Sequence, residues 1–399
     1  MTARDPTGFL RTEYEQLVKS ELDWKLRVLQ GPSTPRCVVD GKKVLMLCSN
    51  NYLSLSNHPK LKKAAIDAVK THGAGSGSVR PIAGNMDLHI ELEKRLAKFK
   101  EAEASLVYQT GFAANAGLIP QLADAGDLIV SDELNHGSII DGVRLSKADR
   151  AVYRHCDPDD LRRVLEKAEE HEPGYRRILV ITDGVFSMDG DIAPMDRIGP
   201  IAHDHGAMVY VDDAHGEGVL GEGGRGIVSH FRLGRDDVHV EMGTFSKAFG
   251  VVGGHISGSR DLINFAYNKS RTWLLSGSHP PAVAAACIAA IDVLETEPQH
   301  VKGLWANTDY FRKGIQQLGF DTGKSQTPII PVMMGESGAA KKFSSRLFDL
   351  GIFALPIVFP MVSKDRARIR TIMNAALTRK DLDEALSAFE KIGNELKLI

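Results

Sequence analysis

Short apolar runs alternate with amphipathic stretches through the middle of the chain. Residues 104–108 read as a strand, and a helix begins after Gly111-Phe112. Residues 128–130, 151–153, 178–182 and 208–211 read as further strands, and 238–242 has strand-like spacing too. Helical spacing starts after Asn135-His136, from Asp157, and after Ala193-Pro194. Repeated β-α units of this kind predict a mainly parallel sheet with helices on both faces. Ligands in such sheets sit beyond the carboxyl ends of the strands. Polar motifs fall at those ends: Asn135-His136, Asp183-Gly184, Ser187 and Asp212-Asp213-Ala214-His215.

The pattern differs at the two ends of the chain. Leu10, Tyr14, Leu17, Leu22 and Leu26 recur at helical spacing and predict a helix over about 9–30, closed by a Gly31-Pro32 break. Residues 36–48 read as a hairpin turning at Asp40-Gly41, a strong turn dipeptide. A polar and aromatic loop over 49–55 precedes a helix starting near His58-Pro59. Asp87 is the expected cap of a helix whose Leu88, Leu92, Leu96 and Phe99 repeat on one face. Helices are predicted over 282–294 and 300–318. Beyond Gly319, strands near 329–334 and 368–373 and a last helix over 382–396 read as a smaller α+β domain. The expected division is an N-terminal helix and hairpin arm over 1–55, a large domain over 56–290 and a small domain over 291–399.

Composition narrows the class. The 399 residues, 43% apolar and 25% charged, describe an ordinary globular protein large enough for two or three domains. A net charge of -2 without a basic block points away from nucleic acid. No apolar run reaches about 18 residues, so no membrane span is expected. The start, Met1-Thr2-Ala3-Arg4-Asp5-Pro6, has no apolar signal core. Cys37, Cys48, Cys156 and Cys287 are far apart and form no CxxC pair. Reduced thiols in a cytoplasmic protein, with no metal, are the expectation.

Candidate chemistry gathers at Gly243-Thr244-Phe245-Ser246-Lys247-Ala248-Phe249-Gly250. Burial lowers the pKa of a lysine, and the neutral amine is a nucleophile able to hold a carbonyl cofactor as a Schiff base. Taken alone, the stretch also reads as a surface lysine in a polar loop. The glycine-rich run over 73–80 suits either close approach to a ligand or partner chain, or a flexible linker. Gly216-Glu217-Gly218-Val219-Leu220-Gly221 matches GxGxxG, but the glycines that follow it cannot start the helix a dinucleotide needs. His203 and His205 are two residues apart on a helix, do not share a face, and read as exposed helix-end residues.

Seven stretches in order carry a broader likeness: SNNYLSLSNHP, GAGSGSVRPIAGN, SDELNHGSIIDGVRL, TDGVFSMDGDIAP, VDDAHGEGVLGEGGRG, GTFSKAFGVVGG and ARIRTIMNAALT. With them the chain, from about Leu26 to Leu398, resembles the α-oxoamine synthase family. These are acyl-CoA-dependent C-acyltransferases with the type I fold of pyridoxal-phosphate (PLP) enzymes. The resemblance implies an aspartate aminotransferase-like α/β fold, PLP as cofactor, amino-acid and acyl-CoA substrates, and a homodimer with a shared active site.

The resemblance also implies roles for residues. Lys247 is the Schiff-base lysine and later the base for the Cα proton. Asp212 partners the cofactor's pyridine nitrogen, and a carboxylate there lets the ring accept electrons. His215, with Ser187 nearby, bonds the phenolic oxygen, and His136 stacks on the ring. Gly111 and Phe112 offer backbone donors to the phosphate at a helix start, and Thr244 adds a hydroxyl. Ser276 and Ser278 reach the site of the second subunit. Asn50 and Arg370 contact the substrate carboxylate. The chain departs from the family pattern at Leu377, where a histidine is usual, at Gly277, where threonine or asparagine is common, and at Ser54, where glycine is commoner.

SDELNHGSIIDGVRL, DGVFSMDGDIAPM, IRTIM and the C-terminal EKIGNELKLI look most like the glycine C-acetyltransferase branch. Glycine with acetyl-CoA is therefore the first expectation. The alternatives are an 8-amino-7-oxononanoate synthase using alanine and pimeloyl-CoA, and a serine palmitoyltransferase-like enzyme. A PLP aminotransferase and a non-catalytic regulatory descendant of the fold are the remaining readings.

Overall fold

The computed structural model describes residues 5–20 and 22–399. Met1 to Arg4 of the expected non-signal start lie outside the described residues. The chain opens with α1 (Gly8–Lys19), β1 (Leu29–Gln30), β2 (Arg36–Val39) and β3 (Lys42–Met46). Next come α2 (Pro59–His72), α3 (Asp87–Phe99), β4 (Ala104–Tyr108), α4 (Gly111–Leu122), β5 (Leu128–Asp132) and α5 (Gly137–Leu145). The alternation continues through β6 (Asp149–Tyr153), α6 (Pro158–Glu169), β7 (Ile178–Asp183), α7 (Met195–Asp204) and β8 (Met208–Asp212). After α8 (Ile227–Phe231) come β9 (Val240–Thr244), β10 (Gly254–Gly258), α9 (Arg260–Lys269), α10 (Arg271–Leu274), α11 (Pro281–Thr296) and α12 (Gln299–Gln317). The chain ends with β11 (Ile329–Gly335), α13 (Ser337–Asp349), β12 (Ile352–Phe353), β13 (Leu355–Ile357), β14 (Ala367–Ile372) and α14 (Arg379–Glu395).

The central sheet has seven strands in the order β4-β10-β9-β8-β7-β5-β6. Only β10 runs against the rest, pairing antiparallel with both β4 and β9. Side-chain alternation divides its two faces. Val130, Val180, Val209 and Val211 enter one core with Leu161 and Leu165 of α6 and Ile198 and Ile201 of α7. Ile129, Leu179, Ile181 and Tyr210 enter the other, under Leu118 and Ile119 of α4 and Ile139 and Val143 of α5. Helices thus cover both faces and leave the carboxyl ends of the parallel strands free for chemistry. The fold is the type I PLP-dependent transferase fold: a large α/β part with a mainly parallel sheet, and a smaller C-terminal part.

In the C-terminal part β11, β14 and β13 form an antiparallel sheet. The N-terminal hairpin joins this part, because β3 pairs in parallel with β12. Cys37, Val39, Val44 and Met46 pack there against Phe348 and Phe353. The turn between β2 and β3 places Asp40 at φ 50° and Gly41 at φ 77°, the left-handed backbone expected of an Asp-Gly hairpin.

Two expectations are corrected, and a third element went unread. The first helix stops at Lys19 and does not reach residue 30. It buries none of its side chains, so no packing energy extends it. Asp40 instead draws the following residues into the hairpin, through Val28 N–H (2.8 Å) and Arg27 (2.9 Å). Asp87 is not the cap of α3 but its first residue, and His89 Nδ1 accepts the Met86 N–H at 3.1 Å instead. Third, β10 carries no strand signal, because Gly254-His255-Ile256-Ser257-Gly258 has small residues and one aliphatic side chain. Its neighbours need that smallness: a Cβ on Gly254 would lie 2.3 Å from the Thr110 carbonyl oxygen.

Candidate active site

The carboxyl ends of β5, β7, β8 and β9 converge on one half-buried amine. Lys247 sits in the turn that leaves β9, where its carbonyl accepts the Gly250 N–H (2.9 Å), and among the described residues its amine has no hydrogen-bond or ion-pair partner. Burial lowers its pKa from the ordinary 10.5, while Asp212 and Asp183 oppose that shift. A buried lysine whose pKa is lowered and whose amine has no partner is poised to react rather than to hold the fold together.

Asp212 ends β8 and is buried. Its Oδ2 accepts from Asn115 Nδ2 (2.8 Å), and its Oδ1 accepts the Ala214 N–H (3.0 Å). Asn115 is fully buried, donates also to Ser138 Oγ (2.8 Å), and accepts the Tyr210 hydroxyl (2.7 Å). Sequence reasoning missed Asn115. The signal was a lone amide within the apolar helix GFAANAGLIPQL, a position that needs buried partners.

Asp183 ends β7 directly beside Asp212. Burial, and then the Asp212 charge, push its pKa well above the carboxylate range. Its Oδ2 accepts the His136 N–H at 2.7 Å. His136 caps α5, with Nδ1 accepting the Ser138 N–H (3.2 Å), which leaves the ring proton on Nε2. Burial lowers the pKa of His136; the Asp212 charge opposes that shift and Lys247 adds to it.

His215 is buried, and its Nδ1 lies 2.8 Å from the Tyr52 hydroxyl. Burial, followed by Lys247 and Arg370, drives its pKa well below 6.5, so the ring is neutral. Burial raises the Tyr52 phenol, so that hydroxyl keeps its proton. Tyr52 also escaped sequence reasoning. Arg370 on β14 donates from Nη1 to the Ser187 carbonyl (3.0 Å), and this fixes Ser187 to the small sheet. Asn50 presents a buried Oδ1 without a hydrogen-bond partner, as a waiting acceptor does.

The remaining expected residues divide into two groups. Thr110 caps α4 by accepting the Ala113 N–H (3.0 Å), and Gly111 packs against Thr244, a Cβ there falling 3.5 Å from the Thr244 Cβ. Phe112 is exposed. Thr244 is buried and turns its hydroxyl inward to the Gly253 carbonyl (2.7 Å), so Ser246, exposed and 2.6 Å away, presents the open hydroxyl. Ser276 and Ser278 belong to a different neighbourhood. Ser278 Oγ bonds Ser76 Oγ (2.6 Å), and Val79 pairs with Gly277, which zips the glycine-rich loop to residues 276–278.

The three departures have plain structural settings. Leu377 is 4% exposed and packs in the core, with its carbonyl accepting from Asn307 (2.8 Å). A Cβ on Gly277 would meet nothing within 4 Å. Ser54 takes the left-handed backbone, φ 60°, which explains why glycine suits that position. The GxGxxG stretch opens no α-helix, only a three-residue turn at Glu222–Gly224. His203 is exposed and His205 bonds Glu169 (2.6 Å). Among the described residues no helix is long and apolar enough to cross a membrane.

These residues fit a small anionic aldehyde such as PLP. The set comprises an unpartnered amine, a buried carboxylate, two neutral imidazoles, and a helix start beside an open hydroxyl. The comparisons with known proteins agree. The family model described as aminotransferase class I and II matches residues 42–389. The 8-amino-7-oxononanoate synthase of Symbiobacterium thermophilum is 54% identical over 394 residues, covering 98% of this chain and 99% of its own length. That of Thermoanaerobacter pseudethanolicus is 52% identical over 400 residues, covering 100% of both. The Sphingomonas wittichii serine palmitoyltransferase superposes with a TM-score of 0.92 at 28% identity, covering 100% of both chains. The chain therefore belongs to the class I and II aminotransferase family and, within it, to the α-oxoamine synthases, which are PLP-dependent acyltransferases.

The first expectation for the branch, glycine with acetyl-CoA, is displaced. These close full-length relatives are 8-amino-7-oxononanoate synthases, which the sequence reading held as an alternative.

Proposed function

We propose that this enzyme makes 8-amino-7-oxononanoate from L-alanine and pimeloyl-CoA, releasing CoA. The substrate pair rests on the full-length likeness to synthases of that name. The chemistry rests on one observation, the Lys247 amine held without a partner in the field of Asp212 and Asp183. PLP, when bound, supplies an electron sink that stabilises negative charge at the substrate's Cα.

The chain's own residues do the rest. Lys247 would hold the cofactor, and its amine would take the Cα proton, which a lowered pKa favours. Asp212, fixed by Asn115, would face the ring nitrogen and keep it protonated. His215, with Ser187, would face the phenolic oxygen, and His136 would cover a ring face. Gly111, Phe112 and Ser246 would surround the phosphate at the start of α4, with Thr244 bracing Ser246. Arg370 and Asn50 would bind the amino-acid carboxylate, the guanidinium with two parallel hydrogen bonds and Asn50 by donating from Nδ2. Ser276 and Ser278 complete the site of a second copy. Exposed Leu275 and Ile82, on the two zipped segments, suit a surface that such a dimer covers.

The test is CoA-thiol release with a panel of amino acids and acyl-CoAs. L-Alanine with pimeloyl-CoA is expected to give the highest kcat/KM. A clear preference for glycine with acetyl-CoA would reinstate the acetyltransferase reading.

A further inference from the structure

Behind the Lys247 turn lies a buried ionic cluster that the reaction itself does not use. Lys100, Asp213, Glu217, Glu241 and His255 are all buried. Lys100 Nζ lies 2.9 Å from Glu217, 2.6 Å from Glu241 and 3.7 Å from Asp213. His255 Nε2 lies 2.9 Å from Glu217 Oε2. The same Oε2 accepts the backbone N–H of Thr244 at 3.2 Å. Groups this deeply buried are costly to charge unless they are paired. Burial alone would raise the Glu217 carboxyl, but His255 and Lys100 outweigh it and hold its pKa at about 2. Asp213 goes the other way, raised by burial.

The cluster explains two otherwise puzzling glycines. A Cβ on Gly243 would fall 2.0 Å from Glu217 Oε2, and one on Gly216 would fall 2.0 Å from Asp213 Oδ1. The glycine-rich stretch around Glu217 therefore makes room for buried acids; it does not hold a nucleotide. Three donors converge on Glu217: an ammonium, a ring N–H and a backbone N–H. Only a group that accepts from every direction satisfies all three, which a carboxylate does and an amide does not.

We propose that Glu217 is the positioning residue for Lys247. It fixes the end of β9, and so the turn carrying Thr244, Ser246 and Lys247, before cofactor arrives. This rests on the reading that Lys247 holds PLP.

The test uses the full-length apoprotein and PLP itself. Glu217→Gln puts an NH2 group against one of the three donors. It is expected to weaken the PLP dissociation constant by about tenfold or more, while the folded protein still melts cooperatively. A merely structural role would lower the melting temperature and leave the Kd of the folded protein unchanged, and that result overturns the proposal. Wild-type protein that binds no PLP would sink the functional reading itself, so the two failures are distinct. Hydrogen exchange on the wild type covers the case in which the variant does not fold. Residues 244–247 are expected to be protected equally in the apoprotein and the PLP-loaded form. Free exchange in the apoprotein with protection appearing only on PLP binding would show that the cofactor, not Glu217, sets the turn.

Discussion

Asp183 and Asp212 are register partners at the carboxyl ends of adjacent parallel strands, and burial followed by the Asp212 charge pushes the Asp183 pKa well above its ordinary value. Two buried carboxyls side by side do not both ionise without cost, and Asp183 is the one pushed up. Asp183→Asn keeps an oxygen that accepts the His136 N–H. Its kcat is expected within about threefold of wild type. Asp212→Asn removes the charge facing the cofactor nitrogen and is expected to lower kcat by about a hundredfold or more. Steady-state kinetics on the two variants decides it; equal losses would refute the assignment of roles.

Lys247 makes apoprotein stability depend on pH. Its folded pKa lies below the unfolded 10.5, so between the two values the unfolded chain binds more protons. Stability therefore rises with pH across that window. Apoprotein of Lys247→Met, which has no amine to desolvate, is expected to melt higher than wild type near about pH 7. The gap should close as pH climbs toward 10.5. Melting curves of both apoproteins across pH check the sign.

Tyr52 holds His215 in one tautomer through the 2.8 Å bond to Nδ1. Tyr52→Phe leaves that nitrogen unpaired in a buried site. A loss of about 1 kcal/mol in stability and roughly tenfold in kcat is expected. Unchanged turnover would mean that the ring orientation does not depend on Tyr52.

Arg370 is already bonded to the Ser187 carbonyl on one side. Arg370→Lys keeps the charge but loses the planar fork. The KM for the amino acid is expected to rise about tenfold, with a smaller change in kcat. A kcat effect without a KM effect would place Arg370 away from the substrate carboxylate.

Two of the three departures from the family pattern should behave oppositely. Leu377→His puts a polar ring into the core and is expected to cost about 2–3 kcal/mol of stability. Gly277→Thr enters open space at ordinary backbone angles and should change stability by no more than about 0.5 kcal/mol. Thermal melts of both variants measure this.

Much of this site could be read in the sequence because its parts are short and local. Strand, turn and polar residue follow one another at Asp183, Asp212 and Lys247, so the motifs mark the strand ends directly. Asn115, Tyr52 and Glu217 were not legible as site residues. Each acts on a partner distant in the chain, and nothing in the local pattern names that partner. Thr244 and Ser246 show a finer limit: both hydroxyls stand in one motif, and only the Gly253 carbonyl decides which of them turns inward.

By itself the sequence determined the repeated β-α units, the lysine turn after the last parallel strand, and the cofactor class. The first two follow from hydrophobic periodicity and residue types at fixed spacing, and the cofactor class from the resemblance that the ordered motifs carry. The tertiary structure alone decided that β10 runs antiparallel, that the N-terminal hairpin joins the small sheet, and that Leu377 lies in the core. It also decided which way each buried acid shifts: Asp183 and Asp213 are raised while Glu217 is lowered. The reason is physical. Desolvation and charge act through space, so a carboxyl's state depends on what the fold packs against it, not on its neighbours along the chain.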